Sequence, residues 1–122
     1  MVPQVEHAGW QVELADGVAV VRFPSPTLSE GGMRELRQEF IRLAHEESRG
    51  LDLRLDLGSV AFTTPGGLGG LVALDIAVRH TGGRLTLCQV TPGIYEVLRL
   101  ARLTAVLDVA PAARYSGVRR TI

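Results

Sequence analysis

The sequence predicts an α/β fold: a mixed β-sheet, with a parallel core and an antiparallel N-terminal hairpin, packed against helices. Apolar runs with a period of two alternate along the chain with segments of helical period, which is typical of parallel strands joined by crossover helices. The first two apolar runs are separated only by the turn signal of Asp16 and Gly17, which favours an antiparallel hairpin. The 122 residues, 46% of them hydrophobic, fit one domain spanning 1–122.

The first half of the chain is predicted to contain the hairpin and one helix. Residues 10–15 alternate apolar and polar side chains, and the β-branched run 18–23 supplies the second strand. An amphipathic helix is predicted to begin near Gly32, with Ser29 or Thr27 as its cap. Its apolar face consists of Met33, Leu36, Phe40, Leu43 and Ala44.

The segment 51–81 is the centre of the predicted fold. Leucines alternate with charged residues over 51–57, which predicts a strand. A turn of small residues leads to a second helix that begins near Pro65, because proline fits a first helical position and Thr64 before it can cap. The helix ends at the glycine pair 82–83. The residues that recur at helical spacing are Leu68, Leu71, Val72, Asp75, Ile76 and Arg79.

The last third of the chain is predicted to add a strand, a helix and a short edge strand. Residues 84–90 form the strand, and Thr91 and Pro92 are the cap and first residue of the helix. A short strand is expected around 106–109, and the remainder, 111–122, is expected to be a frayed tail or a short helical end.

Charge and cysteine content restrict the classes of partner and compartment. Thirteen basic and thirteen acidic residues leave no net charge, which disfavours nucleic acid and anionic membranes as partners. The single cysteine, Cys88, lies in an apolar run and is expected to be a small buried hydrophobe. It cannot form an internal disulfide, which fits a reducing compartment. No segment approaches the roughly 20 apolar residues that span a bilayer, so a cytoplasmic location without membrane insertion is expected.

No pattern predicts a catalytic centre, a metal site or a cofactor. His7, His45 and His80 are far apart, with no cysteine or histidine at ligand spacing. The GGLGG run lacks the lysine and hydroxyl of a phosphate loop and the spacing of a dinucleotide fingerprint. Two interpretations of these glycines remain open. They permit a turn and close helix packing, or they leave the helix start uncovered for a partner or ligand.

The chain resembles the STAS domain, the family of bacterial anti-sigma-factor antagonists and of the cytoplasmic domains of sulfate transporters. The resemblance rests on the order of short motifs over nearly the whole chain. They are LDLG at 55–58, Val60 and Phe62, Gly67 and Leu68, GGRL at 82–85, and Pro92 with the helix through Leu98. It implies a non-enzymatic domain that binds an anti-sigma factor with serine kinase activity in a partner-switching pathway.

The chain departs from the family pattern where the family is phosphorylated. Typical antagonists carry a phosphorylated serine directly before Gly-Leu and an aspartate two residues earlier. Aligning Gly67 and Leu68 places Gly66 at the serine position, and glycine cannot be phosphorylated. Thr63 and Thr64 are the weaker alternatives. The resemblance implies a partner-binding surface made of Ser25, Thr27, Ser29, Thr63, Thr64, Pro65, Gly66, Gly67 and Leu68.

Other functions remain open. The chain could be the STAS-like subunit of an ABC transporter for lipids or solutes, bound to an ATPase. It could also be a regulator that binds a small ligand or nucleotide at the glycine-rich helix start. A homodimer is a further open alternative.

Overall fold

The computed structural model describes residues 4–7, 10–47 and 50–111, and its elements alternate between strands and helices. In chain order they are β1 (Gln4–His7), β2 (Trp10–Ala15), β3 (Val18–Arg22), β4 (Thr27–Leu28), α1 (Glu30–His45), β5 (Asp52–Asp56), β6 (Phe62–Thr63), α2 (Pro65–His80), β7 (Leu85–Val90), α3 (Pro92–Leu100), a 3₁₀ turn (Leu103–Ala105) and β8 (Asp108–Pro111).

The main sheet has six strands in the order β1-β2-β3-β5-β7-β8, and a separate small sheet pairs β4 with β6. The first three strands are antiparallel, while β3, β5, β7 and β8 run parallel to one another. The predicted mixed sheet with a parallel core is therefore confirmed. The expected hairpin is extended by β1, which makes it a three-stranded antiparallel unit.

One face of the sheet carries the core. In β5 the leucines are buried, while Asp52 and Arg54 are exposed on the opposite face. Trp10 and Phe23 pack edge to face with ring centroids 5.2 Å apart. Helix α2 packs beside α1 and reaches β7. This arrangement leaves the helix starts at one end of the molecule, where the candidate site lies.

The helix starts are set by their caps. Ser29 caps α1 and its Oγ accepts from the Gly32 N–H, so the helix begins at Glu30 rather than Gly32. Thr27 lies in β4, and its expected role as an alternative cap is wrong. Thr91 occupies the N-cap position of α3, but its side chain makes no capping hydrogen bond. Pro92 is the first residue of α3, as predicted.

The buried face of α2 differs from the one that spacing predicted. Asp75 is buried and pairs with Arg79, whose Nε lies 2.9 Å from its Oδ2. Ile76, another of the residues at helical spacing, is 54% exposed. The expectation failed because α2 is apolar on almost every side, so periodicity could not select a face. The buried residues are Gly67, Leu71, Leu74, Asp75 and Val78.

Cys88 is only half-buried, whereas the sequence predicted a buried residue. Strand β7 turns Leu87 toward the core and Cys88 toward the opposite face of the sheet. Burial raises the pKa of the Cys88 thiol; nearby Arg54 opposes that rise and Asp56 adds to it.

The raised pKa predicts that the Cys88 thiol reacts slowly with alkylating reagents. Because the thiolate is the nucleophile, we expect iodoacetamide to modify Cys88 in the folded protein more slowly near neutral pH than in the urea-unfolded chain. The difference should shrink as the pH rises past the raised pKa. Intact mass recorded against time at several pH values measures this, and equal rates in the folded and unfolded chains would contradict it.

Within the described ranges, no helix is long and apolar enough to cross a membrane. The predicted tail beyond Pro111 lies outside these ranges, so its fraying stays a prediction, as does the assignment of 1–122 to a single domain.

Candidate functional site

The starts of α1 and α2 lie side by side, joined by the small parallel sheet of β4 and β6. Thr27 pairs with Phe62, and Leu28 pairs with Thr63. The carbonyl of Pro26 accepts hydrogen bonds from the N–H groups of Ala61 and Phe62, at 2.7 and 2.9 Å. The two segments predicted to bind a partner are therefore brought together, although more than thirty residues separate them in the sequence.

The hydroxyl groups of this surface are used by the backbone around them. Ser29 Oγ accepts from the Gly32 N–H at 3.1 Å, and Ser25 Oγ accepts from the Thr27 N–H at 3.1 Å. Thr64 Oγ1 accepts from the Gly67 N–H at 2.9 Å and donates to the Leu28 carbonyl at 3.4 Å. The predicted cap of α2 by Thr64 is confirmed, with Pro65 at the first helical position.

Two glycines of α2 are required by close contact with the α1 side. A Cβ at Gly67 would lie 2.0 Å from the Leu28 carbonyl oxygen, and a Cβ at Gly70 would lie 2.5 Å from the Met33 Cβ. No side chain fits at either position, which supports the packing interpretation there. A Cβ at Gly69 would have no neighbour within 4 Å, so this glycine leaves the helix surface uncovered.

Gly66 faces a carboxylate. A Cβ at this position would lie 2.9 Å from Glu30 Oε1, and Gly66 itself is only partly exposed. Glu30 also pairs with Arg34, with Oε2 and Nη2 3.5 Å apart. A side chain at position 66 would have to displace the Glu30 side chain. The Glu30 carboxylate therefore places a negative charge next to Gly66 at the start of α2.

A groove of about 300 Å³ runs between α1 and α2 from this point. One wall carries two arginines and one glutamate from α1, and the other wall is made of small residues from α2. The groove is lined by Glu30, Met33, Arg34, Arg37, Gly66, Gly69, Gly70 and Ala73.

The aromatic ring of Phe62 lies exposed next to Thr64, the cap of α2. Phe62 is 66% exposed, and Pro65 is exposed while Leu68 is partly buried. Sequence reasoning missed Phe62 as a surface residue because the run VAF is typical of a buried strand. It also missed that Arg34 and Arg37 flank the glycines. Their spacing from Glu30 places all three on one side of a helix, but only the structure shows that this side meets α2.

Across the described parts of the chain, no group of three or more histidine, cysteine, aspartate or glutamate residues could hold a metal ion. The chemistry that the surface offers is that of binding: an exposed aromatic ring, uncovered backbone at a helix start, and a groove with a positive wall.

No protein-family model and no curated protein matches this sequence. Solved structures do. An anti-sigma-factor antagonist (STAS) domain protein from Planctomyces limnophilus is 20% identical, with 90% of this chain and 89% of that chain covered and a TM-score of 0.64.

Two further solved structures belong to proteins of different kinds. The Bacillus cell fate determinant SpoIIAA in its phosphorylated form is 15% identical, with 93% and 99% of the two chains covered and a TM-score of 0.60. The murine anion transporter Slc26a9 is 21% identical over 80% of this chain and 16% of the transporter, with a TM-score of 0.65. The chain therefore has the STAS fold, the mixed α/β architecture of these domains.

Proposed function

We propose that this chain is a non-enzymatic protein-interaction domain that binds an anti-sigma factor with serine kinase activity, as an anti-sigma-factor antagonist does. The observation that carries the proposal is the joined surface of the two helix starts, in a fold that a named antagonist shares. Exposed aromatic residues at the centre of such surfaces often supply much of the binding energy. Phe62, beside the exposed Pro65, is the residue expected to do so here.

In this proposal, binding is not switched by phosphorylation at the usual position. Gly66 has no hydroxyl, and Glu30 occupies the space in front of it. The Thr64 hydroxyl donates to the Leu28 carbonyl, and phosphorylation would remove the hydrogen that makes this bond. The fraction of anti-sigma factor that is bound would then depend on the amount of this protein in the cell. The protein is expected to be cytoplasmic.

The test is titration calorimetry with the kinase-type anti-sigma factor encoded in the same genome, with and without ATP. We expect equal binding in both conditions and no added phosphate by intact mass. Phe62→Ala should raise Kd at least about tenfold, because it removes an anchor that the partner buries. Leu100→Ala is the matched control. Leu100 is 68% exposed, and it lies at the end of α3, outside the proposed partner-binding surface.

Three results would count against the proposal. Absence of binding by the wild-type chain would overturn it, and equal effects of Phe62→Ala and Leu100→Ala would remove Phe62 from the surface. Phosphate on Thr63 or Thr64 would overturn the absence of a switch.

The match to a segment of an anion transporter favours a second candidate, a domain that regulates a transporter. One form of this candidate is the STAS subunit of an ABC transporter, bound to an ATPase. Copurification with such an ATPase, rather than with a kinase, would favour this function over the first.

A further inference from the structure

Helix α2 presents an apolar surface that nothing in the described chain covers. Helix α2 carries no charged residue between its first residue, Pro65, and Asp75. Gly69 is exposed, Ala73 is partly exposed, and Ile76 in the next turn is 54% exposed. A helix that is apolar on all sides is normally surrounded by other elements. The outer side of α2 therefore has the composition of a contact surface.

The neighbouring side of α1 gives this surface a positive border. Arg34 and Arg37 line the groove, and Ile41, one turn further along α1, is 43% exposed. Glu30, the single carboxylate in the groove lining, is paired with Arg34. Arg37 has no ion pair with any residue in the described ranges, and α2 has no acidic residue in its first turn. An occupant would meet excess positive charge along one side.

We propose that the partner docks an acidic amphipathic helix on the α1/α2 face, which we define as Arg34, Arg37, Ile41, Gly69, Ala73 and Ile76. Small and apolar residues of that helix would pack on α2, and its carboxylates would reach the two arginines. The inference rests on the proposed function, because it names the part of the partner that binds.

The shape of the face favours a helix over an extended segment. A strand binds by adding to an exposed sheet edge, and the wall of a groove between two helices offers no such edge. The small residues at Gly69 and Ala73 would let a third helix approach α2 closely.

The charge favours a different protein over a second copy of this chain. In a two-fold dimer the same patch meets itself, which would bring the arginines of both copies to one interface. Like charges placed opposite each other disfavour association. The occupant that complements this face therefore carries acidic residues.

The direct test is a ¹⁵N NMR titration of the whole chain with a synthetic helical peptide. The peptide has about four turns, alanine and leucine along one face, and glutamates beside that face. We expect saturable shifts at the amides of the α1/α2 face and none with the same peptide carrying lysine in place of glutamate. Shifts elsewhere, equal binding of both peptides, no saturable binding, or concentration-dependent self-association through this face would each overturn the inference.

A charge swap sharpens the test. Arg37→Glu should weaken binding of the acidic peptide at least about tenfold and give measurable binding of the lysine peptide. Arg102→Glu is the control, because Arg102 is exposed, lies outside the groove and has no ion pair with any residue that the structure describes. Unchanged affinity in Arg37→Glu, or an equal loss in Arg102→Glu, would contradict the proposed docking face.

The same variants separate this inference from the proposed function. If the wild-type chain binds the acidic peptide but not the anti-sigma factor, the proposed partner is wrong and the docking face stands. If the anti-sigma factor binds the wild type and Arg37→Glu equally well, the partner is right and the docking face is wrong.

Discussion

Replacement of Gly67 by alanine is expected to destabilise the protein by about 3 kcal/mol or more, because the added methyl group has no space. Its Cβ would lie 2.0 Å from the Leu28 carbonyl oxygen and 2.8 Å from the carbonyl carbon. Both atoms belong to backbone that is fixed by pairing with Thr63, so neither can rotate away. The start of α2 and strand β4 would have to separate, and the joined surface would be lost with them.

Gly69→Ala is the matched control in the same helix. Position 69 is exposed and a Cβ there meets nothing within 4 Å. The substitution should therefore stabilise the protein by roughly 0.5–1 kcal/mol, which is the difference in helix propensity between the two residues. Urea unfolding followed by circular dichroism measures both variants. Equal stabilities of the two would show that α2 does not approach β4 as closely as the structure has it.

The main elements could be predicted because their signals are local. The alternation over 51–57 is a property of neighbouring residues, and it identified β5 together with the face that is buried. Thr64 and Pro65 identify the start of α2 by the same kind of signal, since a cap and its target amide lie three residues apart. The glycines at 82 and 83 likewise gave the helix end, where Gly82 has a φ of +88°.

The distinct roles of the glycines could not be predicted, because each depends on a contact from a distant part of the chain. Gly66 meets Glu30, Gly67 meets the Leu28 backbone and Gly70 meets Met33. In the sequence these glycines form one run with no feature that ranks them. Close packing explains two of the glycines, while Gly69 leaves the helix surface uncovered. The use of that uncovered surface by a partner or ligand stays a prediction.

The small sheet of β4 and β6 was missed for a related reason. Each strand has two residues, too few to show an alternation, and their pairing joins segments that lie far apart in the sequence. Phe62 belongs to this sheet, so the exposure of its ring could not be derived from local pattern. The resemblance to the STAS family implied where a partner-binding surface lies, which stays a prediction, and the structure adds the exposed ring of Phe62 beside it.

Substitution of two phenylalanines in this region by alanine should change the free energy of unfolding by very different amounts. Phe23 is 1% exposed and packs against Trp10, and its Cζ would lie 2.8 Å from a Cβ at Gly32 in the first turn of α1. Phe23→Ala should therefore cost about 3–5 kcal/mol, the range for truncating a buried aromatic residue. The cavity would lie beneath the start of α1, so the loop that carries Ser29 should lose order with it.

Phe62→Ala should leave the free energy of unfolding within about 0.5 kcal/mol of the wild type, as expected for an exposed side chain. Urea unfolding measures both stabilities, and titration with the anti-sigma factor measures both affinities. Phe23→Ala should lose binding in step with folding, whereas Phe62→Ala should lose binding while fully folded. If Phe62→Ala proved as unstable as Phe23→Ala, its ring would be part of the core, and the surface that joins the two helix starts would lose its apolar anchor.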